Sequence, residues 1–122
     1  MTVSINMIHP KEFIKTTVTG ILNFAEGKEI ILDIASKIEQ PDEYRILIDT
    51  RKADPVLSLV GIFELDKVMD SFPSFHRCKI ALLTPIRDAK DAEFLQSTTA
   101  NRGISIKAFT KFEKAITWLA MQ

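Results

Sequence analysis

The sequence predicts an α/β fold: a mixed five-stranded sheet, the first strand an antiparallel edge and the rest parallel, covered by four helices. Two observations carry this reading. Ile46-Leu47-Ile48 is a short apolar run without alternation, bounded by Gln40-Pro41-Asp42-Glu43 before and by a polar cluster after, as expected of a strand covered on both faces. Strand-like runs then alternate with segments of helical periodicity, and right-handed crossovers between them make the later strands parallel.

In order, residues 3–8 alternate, with Val3, Ile5 and Met7 opposite Ser4 and Asn6, which suits an edge strand with one wet face. His9-Pro10-Lys11 breaks it. Residues 13–19 are rich in β-branched side chains, and the short connection predicts an antiparallel hairpin that ends at Gly20. Asn23, with Glu26 three residues on, reads as an N-cap, and Ile30, Ile31, Ile34, Ala35 and Ile38 recur at helical spacing, so the first helix spans 24–38. The central strand is 44–49. Asp54 then reads as a cap with Pro55 in the first turn of a second helix, which runs to Phe72 and stops at Pro73. Leu59, Ile62, Leu65, Met69 and Phe72 form its sheet-facing stripe, yet Val56, Val60 and Phe63 lie on another side, so its first half is apolar nearly all round. Lys79–Leu83 is the next buried strand. Asp88, with Asp91 three residues on, opens a third helix over 89–101, closed by Asn101 and Gly103. Residues 104–109 supply the last strand. Thr110 and Glu113 form a capping box for a final helix that buries Phe112, Ala115, Ile116 and Leu119, with Trp118 a further candidate.

At 122 residues, with 46% hydrophobic and 26% charged, the chain has room for a single domain, 1–122. Sixteen basic and sixteen acidic residues cancel, which removes the long-range field that would draw in nucleic acid or an anionic membrane. No stretch is long enough for a membrane span. A single cysteine and no leader-like segment point to a reduced, cytoplasmic setting.

Arg45-Ile46-Leu47-Ile48-Asp49 in mid-chain, and Ile106-Lys107-Ala108-Phe109 followed by Glu113-Lys114-Ala115-Ile116-Thr117-Trp118-Leu119, resemble the SpoIIAA-like family of the STAS/SEC14 type. The resemblance covers nearly the whole chain, and its most specific piece is the ending with Ala-x-x-Trp-Leu. It implies a small bacterial domain with a four-turn β-α superhelix, whose relatives include anti-sigma-factor antagonists and lipid-transfer domains. In the antagonists an Asp-Ser pair opens the helix after the central strand, and its serine is phosphorylated to break a protein complex. Here that place reads Asp54-Pro55-Val56-Leu57-Ser58: Asp54 carries over, but the nearest hydroxyl, Ser58, comes a helical turn later.

The candidate sites lie beyond the carboxyl end of the central strand, where open α/β sheets meet ligands. Val56, Val60 and Phe63 are either covered by the preceding loop or form a patch for a partner, a second copy or a lipid. A whole phospholipid is hard to enclose in one small domain, because the side chains lining such a cavity would also be the only core. Arg51 and Arg87, flanking helix starts, could hold a phosphate or carboxylate, against the plainer reading that they and their neighbours are caps and surface ion pairs. His9, His76 and Cys78 show no metal-ligand spacing, and the four glycines are too dispersed for a phosphate-binding loop. His76, Arg77 and Lys79 beside Cys78 could lower its thiol pKa, but a buried or idle cysteine at a strand start is the much stronger reading, and no thiol catalysis is expected. No catalytic constellation, cofactor or metal is expected. The sequence is that of a non-enzymatic interaction module, binding a protein partner or itself through the second helix and the loop before it: Asp54, Val56, Ser58, Val60 and Phe63. A small-ligand or SEC14-like lipid binder at the same end of the sheet is the alternative, and an enzyme with a phosphate-directed site the third reading.

Overall fold

The computed structural model describes residues 2–8, 13–38 and 44–121. Among these, the order is β1 (Thr2–Ile8), β2 (Phe13–Leu22), α1 (Phe24–Lys37), β3 (Arg45–Pro55), α2 (Leu59–Asp70), β4 (Lys79–Leu83), α3 (Ala89–Ala100), β5 (Ser105–Phe109) and α4 (Phe112–Ala120), with 3-10 turns at Pro73–Arg77 and Ile86–Asp88. The strands lie side by side in chain order; β1 runs antiparallel to β2, and every later neighbour is parallel. The expected α/β layering with parallel strands and four helices is therefore present, with β3 in the middle of the sheet. The expected turns at His9-Pro10-Lys11 and Gln40-Pro41-Asp42-Glu43 lie outside the described residues.

Two cores divide the sheet. On one face Ile14, Val18, Ile46, Ile80 and Ile106 pack with Ile30 and Ile34 of α1 and Leu65 and Met69 of α2. On the other, Leu47, Ala81 and Leu83 pack with Ala115 and Leu119 of α4. A strand that feeds both cores must be apolar on both sides, which is why Ile46-Leu47 reads as a run rather than an alternation. Gly27 lets α1 approach α2, since a Cβ there would lie 2.9 Å from Leu65 Cδ1.

Local chemistry sets the helix ends. Asn23 accepts the Glu26 N–H at 2.9 Å and starts α1 as expected. Gly103, at φ 80, closes α3: its N–H reaches Ala100 O and the Ile104 N–H reaches Thr99 O, each at 3.0 Å, so carbonyls of the last turn are satisfied.

Four expectations are corrected. The second hairpin strand does not end at Gly20: with φ 82 there, β2 continues to Leu22. The central strand does not end at Asp49 either, because β2 offers it a partner as far as Leu22 opposite Pro55, past a bulge where Thr17 and Thr19 face Asp49 and Lys52. Asp54 and Pro55 consequently belong to β3 and cap nothing; α2 starts at Leu59, four residues later than Pro55, and ends at Asp70. Neither Thr110 nor Asp88 makes a side-chain cap: Lys111 precedes α4, and Asp88 stands before α3 without such a bond.

Candidate functional site

Val56 to Ser58 carries the chain from β3 to α2. The Val56 N–H bonds Leu22 O at 2.8 Å, and Leu57 turns inward onto the first core. Ser58 Oγ then accepts the Gly61 N–H at 3.0 Å, which makes Ser58 the N-cap. This start fixes which side chains α2 buries. Ile62, Leu65, Asp66 and Met69 point inward, whereas Val56 (62% exposed), Leu59 (54%), Val60 (70%) and Phe63 (39%) face solvent. The preceding loop does not cover them. Leu59, expected in the inner stripe, is exposed as the first residue of α2. Ile21 and Phe24, either side of the Leu22 that receives Val56, are exposed as well, as is Ile86 in the loop after β4.

Beyond Phe63, the C-terminal half of α2 carries ion pairs, one of them to the buried Asp66. Arg102 pairs with Asp66 and with Asp70 at 3.0 Å each, and Asp70 pairs with His76 at 3.0 Å. Burial pushes the Asp66 carboxyl above its ordinary value, and the Thr98 and Arg102 contacts only partly offset this. The Arg102 guanidinium and the Lys67 ammonium flank the Phe63 ring, at 5.3 and 5.2 Å from its centre.

The two arginines named as an anion pair have separate partners. Arg51 holds Asp49 with two hydrogen bonds, at 3.0 and 2.9 Å, and lies by Phe112 at the start of α4. Burial would raise the Asp49 pKa, but the Arg51 hydrogen bonds and charge overcome it and hold the carboxyl below the usual value. Arg87 instead donates to Ala53 O at 3.3 Å and meets Asp88 at 3.5 Å, beside α3. Cys78 follows a 3-10 turn rather than sharing a strand with His76, and burial raises its thiol pKa to about 11, against the activated-thiol reading. Among the described residues no group of three His, Cys, Asp or Glu could hold a metal, and no helix is long and apolar enough to cross a membrane.

Sequence reasoning missed a cleft of about 140 Å³ between α1–α3 and the sheet, lined mainly by apolar side chains. Ile48 and Leu82 on its floor read in the sequence like any buried strand residues.

Solved structures with this arrangement decide the fold. An uncharacterized protein of the DUF3478 family from Shewanella loihica, described as having a SpoIIAA-like fold, matches with TM-score 0.64 and 17% identity over 98% of this chain and 93% of that one. The fold is SpoIIAA-like. The anti-sigma factor antagonist SpoIIAA in its unphosphorylated form matches with TM-score 0.60 and 17% identity, over 97% of both chains. The Bacillus cell fate determinant SpoIIAA in its phosphorylated form matches with TM-score 0.56 and 15% identity, over 97% of this chain and 99% of that one. Comparison of the sequence with family models and with curated proteins gives no match. A SpoIIAA-like fold at these identities fixes architecture alone.

Proposed function

We propose that this protein is a non-enzymatic regulatory module that binds a protein partner, a second copy of itself included, through the outer face of α2 and the loop before it. The observation that carries the proposal is the run of exposed apolar side chains formed by Val56 in the loop before α2 and by Leu59, Val60 and Phe63 on the helix, opposite the buried Ile62, Leu65 and Met69. A SpoIIAA neighbour is an anti-sigma factor antagonist and another is a phosphorylated form, which supports a regulatory, partner-binding use of the fold. Ser58 is the exposed hydroxyl at the matching helix start, where a phosphate would be electrostatically tolerated beside the helix N-terminus. Asp54, exposed at the end of β3, would rim the interface. The setting proposed is the cytoplasm, in keeping with a free, buried Cys78.

The SEC14-like alternative meets a size limit, because a cavity of about 140 Å³ is far too small for a whole phospholipid. The phosphate-directed reading has less support, since Arg51 and Arg87 are each already paired with a carboxylate.

The test is Val60→Asp combined with Phe63→Asp. Val60 lies in the first turn of α2, where a new carboxylate suits the helix dipole, so the fold should persist. The double variant is expected to lose assembly by light scattering while keeping its circular dichroism. Unchanged assembly would place the interface elsewhere.

A further inference from the structure

We infer that the cleft between α2, α3 and the sheet is a binding site for a compact, uncharged apolar molecule. Ile48 and Leu82 are partners across the two central strands, on the face that α1, α2 and α3 cover. Ile46 and Ile80, one step along the same face, are sealed; Ile48 and Leu82 are only half-buried. A mid-sheet aliphatic pair left partly open beneath three helices is a gap in the packing, because cores of this kind ordinarily close to near-crystalline density. Pro55 and Leu57 reach the cleft from the end of β3 and the non-helical stretch after it, and α2 starts only at Leu59.

The volume and the lining set the class of ligand. Ile48, Leu57, Leu65, Leu82, Ala92 and Leu95 line a space of about 140 Å³ that is partly open to solvent. An enclosed cavity of about 150 Å³ lined by Leu, Ile and Phe takes up benzene, which sets the size of molecule that a space of this volume can hold. On the sheet wall the Thr50 hydroxyl already donates to Leu83 O at 3.0 Å, so the polar groups left for water gather at the mouth, where Asp88 Oδ2 has no hydrogen-bond partner among the described residues. The charged side chains at the cleft mouth are acidic, Asp88, met from outside by Arg87 at 3.5 Å, and the exposed Asp91, so an anion is disfavoured while the wall inside them is aliphatic. A ring or short branched chain fits, and a long acyl chain does not. The site is independent of the proposed partner surface: Ile62 and Leu65 face the cleft, while Val60 and Phe63 face away from it.

The experiment uses the full chain with methyl-labelled Ile, Leu and Ala, titrated with toluene up to its aqueous solubility. Saturable shifts are expected at the Ile48, Leu65, Leu82 and Ala92 methyls. Benzoate, the same ring bearing a charge, is expected to bind at least roughly tenfold more weakly, because its carboxylate must be desolvated. Ala92→Leu, which fills the cleft from α3, should abolish the response, and Leu95→Phe serves if that variant does not fold. Absent shifts at these methyls, an unaltered response in the filled variant, or equal binding of benzoate would each overturn the inference. Displacement of toluene by palmitate would do so too, by showing that the site accepts long chains.

Discussion

Removing the Ser58 hydroxyl tests where α2 begins. Ser58→Ala deletes the acceptor for the Gly61 N–H, a 3.0 Å bond at an exposed helix start. Water can reach the freed N–H, so the loss lies in the middle of the range for N-cap serines, about 1 kcal/mol, rather than at its upper end. For a chain of 122 residues that corresponds to a fall in Tm of about 4 °C. Asp54→Ala is the paired control. Asp54 is exposed in β3 and has no capping role, so its replacement should change stability by less than about 0.5 kcal/mol. Urea and thermal unfolding followed by circular dichroism give both values. A larger cost for Asp54→Ala than for Ser58→Ala would restore the helix start at Pro55 and with it the closed reading of the patch.

Other outcomes follow from the same packing. Leu65→Ala, which empties a buried position between α1, α2 and the sheet, should cost about 2–5 kcal/mol in urea unfolding, and a cost near zero would mean that α2 does not seal the first core. Asp49 titrates below its ordinary value of 3.8 when folded, so its stabilising contribution is present above that pH and is lost as pH falls through the lowered folded value. Arg51→Ala should therefore cost most near neutrality, with the cost shrinking below pH 3.8; a pH-independent difference would refute the coupling. Cys78, buried with its thiol raised to about 11, should resist Ellman's reagent in the native protein at mildly alkaline pH and react on unfolding. Fast native-state labelling would contradict the burial.

The layered sheet was legible because both-face burial leaves a mark on composition: Ile46-Leu47-Ile48, bounded by polar clusters, has the pattern of an interior strand, and β3 is one. The start of α1 was legible because Asn23 and Glu26 carry a local capping signature that no distant contact overrides. The start of α2 was not. Arg51-Lys52-Ala53-Asp54-Pro55 has the polarity of a loop, but β2 runs on through Gly20 and offers its edge, a long-range pairing that no local pattern records. Asp-Pro is also a good helix opening in isolation, and it lost to a serine that fitted the geometry once the strand had been extended. Val60 and Phe63 were identifiable as the outer side from periodicity; Val56 is exposed in the loop before the helix, and Leu59 is exposed because it is the first residue of α2. The cleft left no sequence signal, since Ile48 and Leu82 read like any buried strand residues.

The proposed interface is tested most directly by the mass at which the chain is recovered from gently lysed cells, measured by size exclusion with light scattering. Wild type should elute heavier than one chain, alone or with a bound protein, and the variant carrying Val60→Asp and Phe63→Asp should elute as a single folded chain. Wild type at the mass of one chain, or the variant retained in the same assembly, would contradict an interface on the outer face of α2.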